Sequence, residues 1–138
     1  SSLTSINFGN DFDTSNVTNM SNMFQGCRGL SSLDLSMFDT SCVTSMYGMF
    51  WECGLENLDL SNFETSNVTN MEYMFFSCSN LKTIDMRAAV FNVTSYSQMF
   101  SQTANLSVIV KDETARVWIQ DKLDIANSSN SVAVIERA

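Results

Sequence analysis

The sequence predicts an α/β solenoid of parallel strands and short helices. About four coils occupy residues 1–110, and a C-terminal αβ cap occupies 111–138. Two observations carry that expectation. Val17, Val43, Val68 and Val93 recur at spacings of 26, 25 and 25 residues, and the same companions follow each of them. The pattern then stops, and the tail differs in composition. A unit of this length, with one short strand and one short helix, cannot bury its own apolar face, but stacked units can.

The elements follow in order. Leu3, Ile6, Asn7 and Phe8 match the end of a preceding unit, so the chain reads as a piece of a longer array. Each full unit opens with Val-Thr-x-Met-x-x-Met-Phe, apolar at i, i+3, i+6 and i+7, which is helical spacing. Thr18, Thr44 and Thr69 sit where an N-cap is useful. This segment generates rows: Met23, Met49, Met74 and Met99; then Phe24, Phe50, Phe75 and Phe100; then Cys27, Cys53, Cys78 and Thr103. Leu-x-x-Leu-Asp-Leu-Ser follows, alternating apolar and polar as a strand does. It aligns Leu33, Leu58, Ile84 and Ile109, then Asp34, Asp59, Asp85 and Val110. The second unit is one residue short between Cys53 and Leu55. In the tail, 107–111 is a strand and 111–123 a helix. Asp112 and Glu113 lie in its first turn, and Ala115, Trp118, Ile119 and Leu123 share one face. A polar turn at 127–131 and a strand at 132–135 complete the cap.

Composition excludes several classes of function. A net charge of −8 and a pI near 4.2 argue against nucleic acid and against docking to anionic membranes. No apolar run is long enough for a transmembrane helix, and no signal peptide is present. Histidine is absent, so neither Ser-His-Asp nor Cys-His catalysis can be assembled. No phosphate-binding glycine loop occurs, and the four Cys include no C-x-x-C pair. No cofactor and no metal are expected. Asn16 and Asn67 head Asn-x-Thr sequons, but both come with the repeat and read as architecture.

The string LDLSNFETSNVTNMEYMFFSCSNLKTID at 58–85 resembles the BspA-like leucine-rich-repeat surface proteins of bacteria. The resemblance covers roughly residues 3–110. It implies a right-handed leucine-rich-repeat-like solenoid on an extracellular or cell-surface protein. Some members of that family are adhesins for host matrix proteins or other microbes. The fourth unit departs from the pattern, with Ala88-Ala89-Val90-Phe91 and Thr103, as a unit beside a cap should.

Two sets of residues are candidate partner-binding sites. The first is the outward strand face: Ser32, Asp34 and Ser36; Asn57, Asp59 and Ser61; Thr83, Asp85 and Arg87. Stacked aspartates about 5 Å apart should repel and raise at least one pKa. This face reads as a solvated, laterally hydrogen-bonded surface, or as a ligand or Ca²⁺ surface. A second acidic row, Asp13, Asp39 and Glu64, should support turns. The second candidate is an aromatic patch of Tyr47, Trp51, Tyr73 and Phe76, at positions that vary from unit to unit. Cys27, Cys53 and Cys78 read as core, with a disulfide or metal as the alternative, and Cys42 has no partner in its register. The expected function is a non-enzymatic interaction or adhesion module, acting as a monomer. Its partner would be a host or microbial surface protein or glycan, with no nucleic acid and no membrane insertion. A structural spacer, a Ca²⁺-dependent carbohydrate binder and an enzyme using the acidic row are the alternatives.

Overall fold

The structure, a computed structural model, describes residues 3–127, 129–130 and 134–135. Its strands β1 (Asn57–Asp59), β2 (Thr83–Asp85), β3 (Ser107–Val110) and β4 (Val134–Ile135) form one parallel sheet in the order β1-β2-β3-β4. Leu58 pairs with Ile84, and Ile84 with Val108. All three are buried, while Asn57, Asp59 and Thr83 between them are exposed. That is the two-residue period of a strand with one wet face.

The alignment of the last repeat is corrected by one residue. The sequence sets Ile109 beside Ile84, but the structure sets Val108 there and Ile109 beside Asp85. Burial decides it: Val108 and Val110 are 0% exposed, whereas Ile109 is only half-buried. One residue less separates Leu106 from its inward strand residue than separates Leu81 from Ile84.

The short helices of the repeats are also corrected. Among the described residues α1 (Glu113–Ala126) is the one helix. In the Met/Phe segments the main-chain donors alternate. Met20, Asn22, Phe24 and Gly26 donate to the carbonyls of Ser45, Tyr47, Met49 and Trp51 in the next repeat, at 2.7–2.9 Å. Met23, Gln25 and Cys27 donate to the carbonyl three residues back. The backbone turns to positive φ every fourth residue, at Asn22 and Gly26, Gly48 and Glu52, Tyr73 and Ser77, Gln98 and Gln102. A helix permits neither feature. The result is a ladder of turns, joined by parallel bridges Asn19–Ser45, Ser45–Asn70 and Asn70–Ser95. Thr44 and Thr69 therefore cap no helix. Their N–H groups donate to Thr18 and Thr44 carbonyls of the preceding repeat.

The core lies between this ladder and the strands. Phe24, Phe50, Phe75 and Phe100 stack with centroids 5.7, 5.7 and 5.3 Å apart and interplanar angles of 13° or less. Met49, Met74, Leu58 and Ile84 fill the space beside them. Thr14, Thr40 and Thr65 are buried polar exceptions. Their hydroxyls donate to the carbonyls of Asp39, Glu64 and Val90, one repeat on, at 2.6–2.9 Å. Each satisfies a group that burial would otherwise make costly.

The shortened second repeat leaves its mark at Gly54. Its N–H donates to Cys27 O at 3.1 Å, and a Cβ there would collide with the Arg28 carbonyl. Residues 33–35 form no strand. The Asn62 side chain instead donates to the carbonyls of Leu35 and Phe38.

At the other end α1 covers the last repeat with Ala115, Ile119 and Leu123. Asp112 is its N-cap and accepts from Ala115 N–H at 2.9 Å, so the helix starts after residue 112 and runs three residues past the expected end. The expected turn at 127–131 and strand at 132–135 lie partly outside the described residues. Within them, Val134–Ile135 pairs with β3. No helix among the described residues is long and apolar enough to cross a membrane.

Candidate functional site

Asp59 and Asp85 end β1 and β2, Asp34 holds the same register in a segment that forms no strand, and all three carboxylates turn back on their own main chain. Asp34 accepts from the N–H and hydroxyl of Ser36, Asp59 from Ser61 N–H, and Asp85 from Arg87 N–H. Each bond spans two residues and shapes the turn that ends the strand, as an Asx turn does. The Ser36 hydroxyl and N–H hold Asp34 below its ordinary pKa, and those of Ser61 do the same for Asp59. The expected rise of at least one pKa in the row is therefore not seen at Asp34 or Asp59, because a hydrogen bond two residues away outweighs screened repulsion between exposed neighbours. Arg87 also grips Asp85, with Nη2–Oδ2 at 2.6 Å. Thr83 donates its hydroxyl to the Asn57 side chain across the β1–β2 pair. Ser32 is exposed.

The second acidic row behaves as expected. Asp13, Asp39 and Glu64 accept from the N–H groups of Ser15, Ser41 and Ser66. Among the described residues no three His, Cys, Asp or Glu side chains converge on one point. A flat row of turn-building carboxylates does not supply the six to eight oxygens that Ca²⁺ takes. Cys27, Cys53 and Cys78 are buried free thiols, and Cys42 is exposed. Burial pushes Cys78 up to about 12, which makes it a poor thiolate ligand.

The aromatic candidates are brought together. Trp51 stacks on Tyr73 with centroids 4.8 Å apart and planes 11° apart. Phe76 meets both rings at 5.2 Å, and Tyr47 lies 5.7 Å from Tyr73. All four are half-buried. Register explains the convergence. Trp51 and Phe76 each follow a core phenylalanine, so they emerge from the same rung of adjacent repeats. Tyr73 occupies the register of Gly48, one repeat on. Gly48 has φ +58°, and a Cβ there would run into the Asn22 side chain and lie 3.2 Å from the Trp51 ring. Tyr73 holds φ +57°, a conformation that costs a bulky residue about 1–3 kcal/mol. Stacking on Trp51 offsets part of that cost. Trp51 Nε1 is the one buried side-chain polar atom among the described residues with no hydrogen-bond partner.

A second aromatic group escaped the sequence reading. Phe91 stacks on Trp118 of α1 at 4.6 Å, Tyr96 meets Trp118 edge-on, and Lys122 Nζ lies 4.1 Å from the Tyr96 ring centre. The signal was present, since Phe91 and Tyr96 both break the repeat pattern where α1 follows.

The sequon also finds a use. The Asn67 side-chain amide donates to Ser41 O at 2.7 Å, and Asn92 in the same register donates to Ser66 O. These amides tie one repeat to the one before.

The family described as Mycoplasma protein of unknown function, DUF285, matches residues 2–112. No curated protein and no solved structure matches the chain.

Proposed function

The chain belongs to the DUF285 family, and we propose that its repeats form a right-handed solenoid of the leucine-rich-repeat type in a BspA-like surface protein. In this reading the solenoid is a non-enzymatic interaction module, outside the cell or on its surface. It engages a surface protein or a glycan through the aromatic patch. One observation carries the proposal: Tyr47, Trp51, Tyr73 and Phe76, from two successive repeats, converge in one half-buried group around an unpaired indole N–H. Tyr and Trp anchors of this kind dominate binding energy, because a rigid ring covers much area for little lost entropy.

The acidic row favours the spacer reading for its own face, because its carboxylates are already engaged at their own turns. A pure spacer binds nothing. The two readings separate in a screen of the chain against immobilised matrix proteins and a glycan array, run with Ca²⁺ and with a chelator. The module predicts a binder whose affinity falls at least about tenfold in Trp51→Ala and in Tyr73→Ala. Binding that survives both substitutions, or no binding at all, overturns the aromatic patch. Loss of binding with the chelator would transfer the function to a cation-dependent site.

A further inference from the structure

We infer that the ligand of the aromatic patch is a neutral glycan chain of several sugars, laid along the stack of repeats. The inference rests on the reading of that patch as the binding site, and it commits to one of the two ligand classes proposed there. What borders the rings carries it. The registers of Tyr47, Tyr73, Trp51 and Phe76 hold Ser21, Asn22 and Gln25 in the repeat before, and Ser97, Gln98 and Ser101 in the repeat after. Main-chain bonds fix each border one rung away. Asn22 N–H donates to Tyr47 O at 2.7 Å, and Tyr73 N–H to Ser97 O at 3.0 Å. All six border residues reach the surface, wholly or in part. Gly48 brings one of them closest to the rings. A Cβ on Gly48 would run into Asn22 Oδ1 and lie 3.2 Å from the Trp51 ring, so the Asn22 amide rests beside the indole.

A sugar ring matches both parts of this surface. C–H groups cover its flat faces and carry a slight positive charge, which the negative π-face of an aromatic ring attracts. Hydroxyls line its edge, and each both donates and accepts. Amides and hydroxyls answer in kind, whereas a carboxylate only accepts and Lys or Arg only donates. Rungs about 4.8 Å apart make the four repeats about 15 Å long, which leaves room for several sugars in a row. Charge selects a neutral chain. Across the four repeats these three registers hold one carboxylate, Glu72, and no Lys or Arg. Glu52, next to Trp51 in the chain, is paired with Arg28 of the preceding repeat. A sulfated or sialylated chain would therefore bring negative charge to a face that has only negative charge to offer.

The test is amide and indole NMR of the 138-residue chain, titrated with cellohexaose, chitohexaose and a heparin hexasaccharide in the presence of a chelator. Binding of the same chain to immobilised matrix proteins runs beside it. At least one neutral hexasaccharide should shift the Trp51 indole, the amides of 47–51 and 72–76, and the side-chain amide of Asn22 or Gln98. The Trp118 indole, which belongs to α1, should not move. Trp51→Ala should weaken that glycan at least about tenfold. Asn22→Gly keeps the positive φ of residue 22 and deletes only the amide side chain, so it reads the border even where Trp51→Ala disturbs folding. It should weaken the glycan about threefold or more. The heparin hexasaccharide should bind at least about tenfold more weakly than the neutral chain. If neither neutral hexasaccharide shifts the patch at millimolar concentration, while a matrix protein binds the chain and is lost in Trp51→Ala, the glycan is overturned and the patch stands. Glycan binding undiminished in Trp51→Ala and Asn22→Gly overturns both, as does failure of every probe to bind. Heparin bound as tightly as the neutral chains overturns the neutral class.

Discussion

Met23 and Met49 hold the same register in adjacent repeats, yet Met23 is 39% exposed and Met49 0%. Val17 and Leu33 are half-buried, where Val43, Val68 and Leu58 are buried. The three core thiols grade inward from Cys27 at 8% through Cys53 at 3% to Cys78 at 1%. The residue types do not differ; their neighbours do. An inner repeat is covered on both sides, whereas among the described residues the outer side of the first full repeat is met by 3–12, with Phe8 and Phe12 against Phe24 and Phe38. A repeat therefore carries the apolar residues, but the next repeat makes them core.

The sharpest way to break that comparison is a matched pair of charges. Met49→Asp should cost on the order of 4 kcal/mol and cause a broad loss of structure, because a carboxylate would lie where no water or partner reaches it. Met23→Asp, in the same register, should cost about 1 kcal/mol or less, since it can face solvent. Thermal and urea unfolding measure both. Equal losses would mean that the first repeat is packed as tightly as the second.

Glycine gives a smaller version of the same contrast. Gly26 and Gly48 both hold positive φ, but a Cβ on Gly26 meets nothing within 4 Å, whereas one on Gly48 meets the Asn22 side chain and the Trp51 ring. Gly26→Ala should cost about 1 kcal/mol, from backbone conformation alone. Gly48→Ala should cost about 2 kcal/mol or more, and it should alter Trp51 fluorescence. An unchanged emission spectrum would count against the packing of the patch.

Thiol labelling grades the repeats without mutation. Cys42 should react first, then Cys27, with Cys53 and Cys78 last, because burial raises both inner thiols and places Cys78 near 12. Cys78 also donates to Phe50 O at 2.9 Å, a further reason for inertness. Mass mapping after brief alkylation at about pH 8 reads the order. Labelling of Cys78 as fast as Cys27 would erase the gradient.

The smallest effect is one of pH. Asp34 and Asp39 are held below their ordinary pKa chiefly by the hydroxyls and N–H groups of Ser36 and Ser41, and Asp59 by those of Ser61. A depressed folded-state pKa contributes stability above the unfolded value, near 3.8, and that contribution disappears as pH falls through the folded value. Melting temperature should therefore hold from neutral pH to about 5 and decline below about 4. Ser36→Ala should flatten that decline slightly, because it removes one of the bonds that Asp34 accepts. A decline that begins near pH 6 would implicate other groups.

Register alone decides where some of the candidate residues lie. Spacing put Trp51 and Phe76 on one rung, and the structure stacks their neighbourhood into a patch. It placed the acidic row on one strand face, which holds for Asp59 and Asp85 but not for Asp34, whose segment forms no strand. The direction of the Asp34 and Asp59 shifts was lost, because it depends on a hydrogen bond to the residue two positions on. Alternation of apolar and polar letters does not report such a bond. The contacts of Phe91, Tyr96, Trp118 and Lys122 were lost too, since they join the last repeat to α1 across a break in the periodic pattern.

What the sequence determined by itself is periodicity: the rows of Met, Phe and Cys, the parallel pairing of Leu58 with Ile84, the turn-forming role of Asp13, Asp39 and Glu64, and the face of α1 that packs. These follow because a repeated letter at a fixed interval must occupy a repeated environment. Only the tertiary structure decided the conformation of the Met/Phe segments. Apolar residues at i, i+3 and i+7 face one side in a helix and equally in a ladder of turns. The choice rests on where the alternate N–H groups find acceptors. Those acceptors are carbonyls of the next repeat, roughly twenty-five residues away in the chain, and no local pattern records a bond to a neighbour that exists only once the repeats have stacked.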